Sequence, residues 1–280
     1  MGRAGFGKKI VQAAIVLIVF GILFSTGCLM DRRKAAHTFR IVFFGDSVYG
    51  NVRDESAIPA QIEALTGLSI YNAAIGGTCL GRWDENGNLD YSGDSLSVVA
   101  LAKAVYASDF GVQRAMRSKE GIIDYFPDVI RGLEEIDFSS VELVIIGSGT
   151  NDYFNGIPPE NSEDLMDEHS FAGALRRTID YLRKANPGLR ILLVTPTYSW
   201  YLWTGQTGEE FSVSGVLKDY VDTEIRVADE TGVELLDLYH DFYPHERWED
   251  WEIYTEDGVH PNEDGRAIIA EKIAEYLNNK

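Results

Sequence analysis

Arg40-Ile41-Val42-Phe43-Phe44-Gly45-Asp46-Ser47 is the stretch from which the fold is read. A run rich in β-branched and aromatic side chains that breaks at a glycine is the pattern of a buried strand ending in a turn. Runs of the same character recur at residues 69–73, 141–146, 190–195 and 233–238, each followed by glycine, proline or polar loop residues. Between them lie helical patterns at 60–65, 100–106, 123–133, 172–185 and 216–231, and the chain closes with an amphipathic segment at 263–278. Parallel strands need crossover connections, and helical crossovers cover both faces of a sheet. The expected fold class is therefore α/β: a three-layer α/β/α sandwich on a mainly parallel, about five-stranded, flavodoxin-like sheet.

Long polar inserts follow several strands, at 81–95, 153–170 and 198–214, whereas connections back into strands are shorter. The inserts crowd the carboxyl edge of the sheet, where open α/β sheets bind ligands. The chain has 280 residues, 45% hydrophobic and 25% charged, enough to bury one substantial core. Residues 39–280 read as one domain, with no internal repeat. The formal charge of -19 repels phosphate backbones, so no nucleic-acid partner is expected.

The N-terminus has a different character. Arg3, Lys8 and Lys9 precede an apolar run at 10–24 that ends in Ser25-Thr26-Gly27-Cys28, the layout of a signal peptide. The run is short against the roughly 20 apolar residues of a relaxed bilayer span. Residues 1–27 are read as a signal peptide or signal anchor and 28–38 as a polar tether. Ser25-Thr26-Gly27-Cys28 resembles a bacterial lipoprotein signal, with Ser25 where leucine is usual. Lipidation of Cys28, simple cleavage and an uncleaved anchor all stay open. Any membrane contact is expected only through this segment or a lipidated Cys28, which makes the protein exported, anchored at the cell surface or secreted. The only other cysteine is Cys79, so no disulfide scaffold or cysteine-based zinc site is available. Cys79 itself reads as a small core or loop residue.

Four polar motifs fall on loops at the carboxyl edge. Gly45-Asp46-Ser47 follows the first strand and reads either as a helix cap or as the seat of a reactive serine. Asn72-Ala73-Ala74-Ile75-Gly76-Gly77-Thr78 follows the second, where paired glycines make a turn or leave backbone N–H groups open to a ligand. Gly149-Thr150-Asn151-Asp152 follows the third and offers an Asx turn, a cap, or an amide donor. Asp257-Gly258-Val259-His260-Pro261-Asn262 sets a carboxylate and an imidazole three positions apart before the last helix.

Together the four motifs, in this order and spread from Phe43 to Asn262, resemble the SGNH, or GDSL, family of serine esterases and lipases. Val48 departs from the leucine in that family's name. The resemblance implies Ser47 as nucleophile, His260 as general base and Asp257 as the carboxylate that holds the imidazole. It also implies an oxyanion hole from the Ser47 N–H, Asn151 and a glycine, Gly77 by its spacing from Asn72, with Gly76 the alternative. It implies no metal and no organic cofactor.

The residue types suit this chemistry. A serine hydroxyl attacks well only when a base takes its proton, and a neutral imidazole with an unperturbed pKa of about 6.5 can do so. A carboxylate fixes the tautomer, and oxyanion donors bind charge that appears only in the tetrahedral state.

His37, His169, His240 and His245 read as ordinary loop or surface histidines, although His240 and His245 flank Asp241. Trp83, Trp200, Tyr201 and Trp203 belong to the inserts. Trp200 and Trp203 are candidate substrate-binding residues that wall a groove, with loop packing an equal contender.

The expected function is an exported serine esterase acting on a small-molecule or carbohydrate ester, such as acetyl esters of a polysaccharide. The alternatives are a cell-surface carbohydrate O-acyltransferase with the same triad, or an inactive carbohydrate-binding protein of the same fold.

Overall fold

The computed structural model describes residues 39–83, 95–116 and 123–280. The expected signal or anchor segment, Cys28, the tether and residues 84–94 of the first insert lie outside the described residues. Among the described residues, no helix is long and apolar enough to cross a membrane.

The chain runs through β1 (Ile41–Gly45), α1 (Ser47–Gly50), α2 (Ile58–Thr66), β2 (Ile70–Asn72), α3 (Val98–Ala107), α4 (Gly111–Ala115) and α5 (Phe126–Glu135). It continues with β3 (Leu143–Gly147), α6 (Thr150–Phe154), α7 (Phe171–Ala185), β4 (Arg190–Val194), β5 (Trp200–Tyr201), β6 (Gln206–Thr207) and α8 (Leu217–Thr231). Last come β7 (Glu234–Leu236), α9 (Trp251–Tyr254) and α10 (Glu263–Asn278).

Five strands form one parallel sheet in the order β2-β1-β3-β4-β7. Ile41 stands opposite both Ile70 and Leu143, and Leu192 lies opposite Glu234 at the far edge. The burial follows from this order: β1 and β3 are buried throughout, whereas the edge strands β2 and β7 keep half-buried residues. Helix α2 packs along α10, while α7 packs on α3 and α8, which gives the helical layers on either side of the sheet. Each fully buried side chain such as Phe43 or Phe44 contributes about 1.5–3 kcal/mol relative to exposure.

Three elements differ from the sequence reading. The helix expected at 123–133 begins only at Phe126, with Pro127 in its first turn, where a missing N–H costs nothing. Ile123 is instead buried ahead of it. The insert at 198–214 is not plain loop: it folds as the antiparallel β5–β6 hairpin. The long strand expected at 233–238 stops at Leu236, because Asp237 turns the chain by accepting the Tyr239 and His240 N–H groups.

The order of strands positions the site. After β1 the chain moves to β2 on one side and returns to β3 on the other. Loops leaving β1 and β3 therefore diverge and open a crevice at the strands' carboxyl ends.

Candidate active site

Strand β1 ends at Gly45, and Asp46, only 2% exposed, opens α1 by accepting the Val48 N–H at 3.0 Å. Cap and reactive hydroxyl are thus divided between neighbours: Asp46 supplies the cap, which frees the Ser47 side chain. Ser47 Oγ lies 3.0 Å from His260 Nε2. Burial pushes the Asp46 carboxyl up to about 6, against the Val48 N–H and the nearby His260, which favour its charged form.

His260 Nδ1 lies 2.8 Å from Asp257 Oδ2. Asp257 Oδ1 accepts the His260 N–H at 2.8 Å and the Val259 N–H at 3.0 Å, so one carboxylate holds both the ring and its own loop. Burial works to raise the Asp257 pKa, but the hydrogen bonds from His260 and Val259 outweigh it and hold the carboxyl below its ordinary range. It therefore stays ionised at neutral pH.

The loop is braced from three sides. Glu256 N–H donates to the His260 carbonyl at 2.8 Å, and Asn262 caps α10 by accepting the Gly265 N–H at 2.9 Å. Trp200 N–H donates to the Gly258 carbonyl at 2.8 Å. Gly258 has a φ of 87°, and a Cβ there would overlap the Trp200 carbonyl oxygen, so only glycine fits.

The paired glycines have different tasks. Gly76 is buried, and its N–H donates to Tyr125 Oη at 2.9 Å. Gly77 is exposed, takes a left-handed φ of 74°, and its N–H donates to no described residue. The Ser47 N–H is likewise uncommitted among the described residues. Asn151 Nδ2 donates one hydrogen to the Thr78 carbonyl at 3.0 Å, which ties α6 to the glycine loop and leaves its second hydrogen available.

The structure brings Ser47, His260 and Asp257 into one hydrogen-bonded line. Chemically it offers a hydroxyl beside a proton acceptor, and the glycine loop contributes the Gly77 N–H, which donates to no described residue.

The two tryptophans separate. Trp200 is 1% exposed, packed edge-on against Tyr198 at 4.9 Å, and braces Gly258 from within, so it forms no groove wall. Its place in β5, against the Asp257–His260 loop, leaves it no open face. Trp203 is 63% exposed and rests on Phe154, at the end of α6, with ring centroids 5.8 Å apart. Cys79 is buried and receives the Asn155 amide at 3.3 Å.

His245 stacks on Tyr198 at 4.2 Å. His240 Nδ1 pairs with Asp237 Oδ2 at 2.8 Å, a second Asp-x-x-His turn, but no described hydroxyl is bonded to its other nitrogen. Sequence reasoning gave no role to Asp152, Tyr125 or Thr78, whose contacts shape the glycine loop. Only the adjacency of Asp152 to Asn151 hinted at one.

The sequence from 43 to 268 matches the model of the GDSL-like lipase/acylhydrolase family. No curated protein matches the chain. Among solved structures, a protein from Lactobacillus plantarum is similar at 19% identity, with 86% of this chain and 97% of that one covered and a TM-score of 0.58. Est24, a carbohydrate acetylesterase from Sinorhizobium meliloti, is 15% identical over 85% of this chain and 98% of its own, with a TM-score of 0.53. The salicylyl-acyltransferase SsfX3 of a tetracycline biosynthetic pathway is 15% identical over 88% of this chain and 56% of its own, with a TM-score of 0.52. At such identities the likeness speaks for the fold. The family match spans most of the domain, and the chain belongs to the GDSL-like lipase/acylhydrolase family of carboxylic ester hydrolases.

Proposed function

We propose that this protein is an exported serine esterase that removes acetyl groups from a polysaccharide or smaller carbohydrate through an acyl-enzyme on Ser47. The observation that carries the reading is the line Ser47 Oγ, His260 Nε2 at 3.0 Å, and His260 Nδ1 to Asp257 Oδ2 at 2.8 Å.

In this mechanism Ser47 Oγ attacks the ester carbonyl while its proton passes to His260 Nε2. Asp257 keeps the Nδ1–H tautomer in place and stabilises the imidazolium. The tetrahedral oxyanion is bound by the N–H groups of Ser47 and Gly77 and by Asn151 Nδ2. His260 then returns the proton to the departing alkoxide, releasing the alcohol and leaving an acyl-serine. Water, deprotonated by His260, adds to the acyl carbon; collapse restores the Ser47 hydroxyl and frees the carboxylic acid.

A carbohydrate alcohol is favoured by Trp203, an exposed ring next to the helix of Asn151 and suited to stacking on a sugar face. Est24, the fold relative from Sinorhizobium meliloti, is a carbohydrate acetylesterase. Export rests on the basic and apolar residues before Cys28, by which the enzyme is anchored or released.

A panel of p-nitrophenyl esters of increasing acyl length, with acetylated xylan alongside, tests the substrate half. Preference for acetate and release of acetate from the glycan are expected; a maximum at long acyl chains contradicts the reading. Acylated product on an added glycan acceptor would make the enzyme a transferase. Cell fractionation tests export, and recovery from the cytosol contradicts it.

A further inference from the structure

Asp152 follows Asn151 on α6 and is wholly enclosed. Its two oxygens accept two consecutive backbone donors, the Leu80 N–H at 2.8 Å and the Gly81 N–H at 2.8 Å. Those donors end the loop that begins at Gly76-Gly77. Asn151 holds the same loop at the Thr78 carbonyl, and Tyr125 holds it at the Gly76 N–H. Gly77 therefore sits between fixed points, and the two grips after it come from adjacent side chains of one short helix.

A carboxylate suits this place for a physical reason. It presents two acceptor oxygens and no donor, so both backbone N–H groups are satisfied at once. An amide would turn its own N–H toward one of them. Burying a carboxyl is costly, and here the cost is met at a point that serves the geometry of one loop.

We propose that Asp152 is a positioning residue: by gripping Leu80 and Gly81 it holds the Gly77 N–H and Asn151 Nδ2 at the spacing at which both meet one developing oxyanion. The inference rests on the reading of Ser47 as nucleophile. Since the oxyanion exists only near the transition state, loosening this grip slows the chemical step and leaves ground-state binding almost untouched.

Burial pushes the Asp152 carboxyl up to about 7, with the neighbouring Asp46 adding to the shift and the Gly81 and Leu80 N–H groups opposing it. Glu224 and Tyr220 of α8 face it as well. Protonation converts one acceptor oxygen into a donor, so the two-point grip weakens on the acid side.

The test compares wild type, Asp152→Asn, Asp152→Glu and Ser47→Ala, reading kcat and KM for p-nitrophenyl acetate and the inhibition constant of phenylboronic acid, which forms a tetrahedral adduct. Full loss of one oxyanion donor typically costs about 10²–10³ in kcat, so a displaced donor should cost about tenfold or more. Asp152→Asn should show that fall in kcat, a KM within about twofold, and boronate binding weakened by the same factor as kcat. Asp152→Glu keeps both acceptors but moves them, and the same split is expected in it should the amide variant not fold.

A folded variant with kcat and boronate binding within about twofold of wild type overturns the inference, even if its melting temperature drops, as does a change in KM alone. Equal rates in wild type and Ser47→Ala would overturn the nucleophile reading and this inference with it. A wild type dependent on Ser47 beside an unaffected Asp152→Asn overturns the inference alone.

Discussion

At the scale of single residues, the site depends on small side chains whose hydrogen-bond capacity is divided with little left over. Asp257 uses one oxygen for the imidazole and the other for two backbone N–H groups. Asp257→Asn keeps the shape but permits the wrong imidazole tautomer, so kcat should fall by about 10⁴-fold with KM little changed, measured by steady-state kinetics. A kcat within tenfold of wild type would show that the carboxylate does not set the tautomer. Ser47, Asp257 and His260 stood out in the sequence through the four motifs taken together and the family they resemble, because Gly45-Asp46-Ser47 by itself reads also as a helix cap. Spacing from Asn72 pointed to Gly77 over Gly76, but the reason the two differ was not readable, because the Gly76 N–H is taken up by Tyr125, far along the chain. Asp152 was hidden for the same reason, its partners lying 71 and 72 positions away.

At the scale of elements, the β5–β6 hairpin braces the Asp257–His260 loop through Trp200. It was invisible beforehand, since its strands are two residues each and too short for any periodicity to register. The same brevity hid the difference between Trp200 and Trp203, which sit three positions apart with opposite exposures. Trp200→Ala removes a wholly buried ring and should cost about 3–5 kcal/mol, seen as a lower denaturation midpoint, with activity falling as Gly258 loses its brace. Trp203→Ala should change stability by about 0.5 kcal/mol or less while raising KM for acetylated glycans and sparing p-nitrophenyl acetate. A destabilised Trp203→Ala with unchanged glycan KM would make that ring a packing residue instead. The long helices and the central strands, by contrast, were readable from hydrophobic pattern alone, because β1 and β3 are buried on both faces.

At the scale of the whole molecule, strand order and charge act together. The order β2-β1-β3-β4-β7 opens its crevice between the loops after β1 and β3, and the buried carboxyls Asp46 and Asp152 follow those same two strands. Burial raises Asp46 to about 6, Asp152 to about 7, and Glu224 well above its ordinary value. In the unfolded chain these groups titrate near the usual 3.8 to 4.5, so between roughly pH 4 and 7 the folded state binds more protons. Their contribution is complete at low pH; that of Asp46 and Asp152 is lost as pH rises through about 6 to 7, and that of Glu224 is lost on the same alkaline side. Asp54, Asp137, Glu142, Glu230 and Glu234 have lowered values, and their contribution is lost as pH falls below about 4. The melting temperature should therefore rise as pH falls from 8 toward 5 and drop again below 4, helped on the first limb by relief of the -19 charge. A melting temperature that climbs steadily from pH 5 to 8 would contradict the burial of these carboxyls. All of this geometry converges on one hydroxyl, and the most direct measurement is the ratio of kcat/KM for p-nitrophenyl acetate between wild type and a folded Ser47→Ala variant. A ratio of at least about 10³ is expected; comparable rates in the two proteins would rule Ser47 out as the nucleophile.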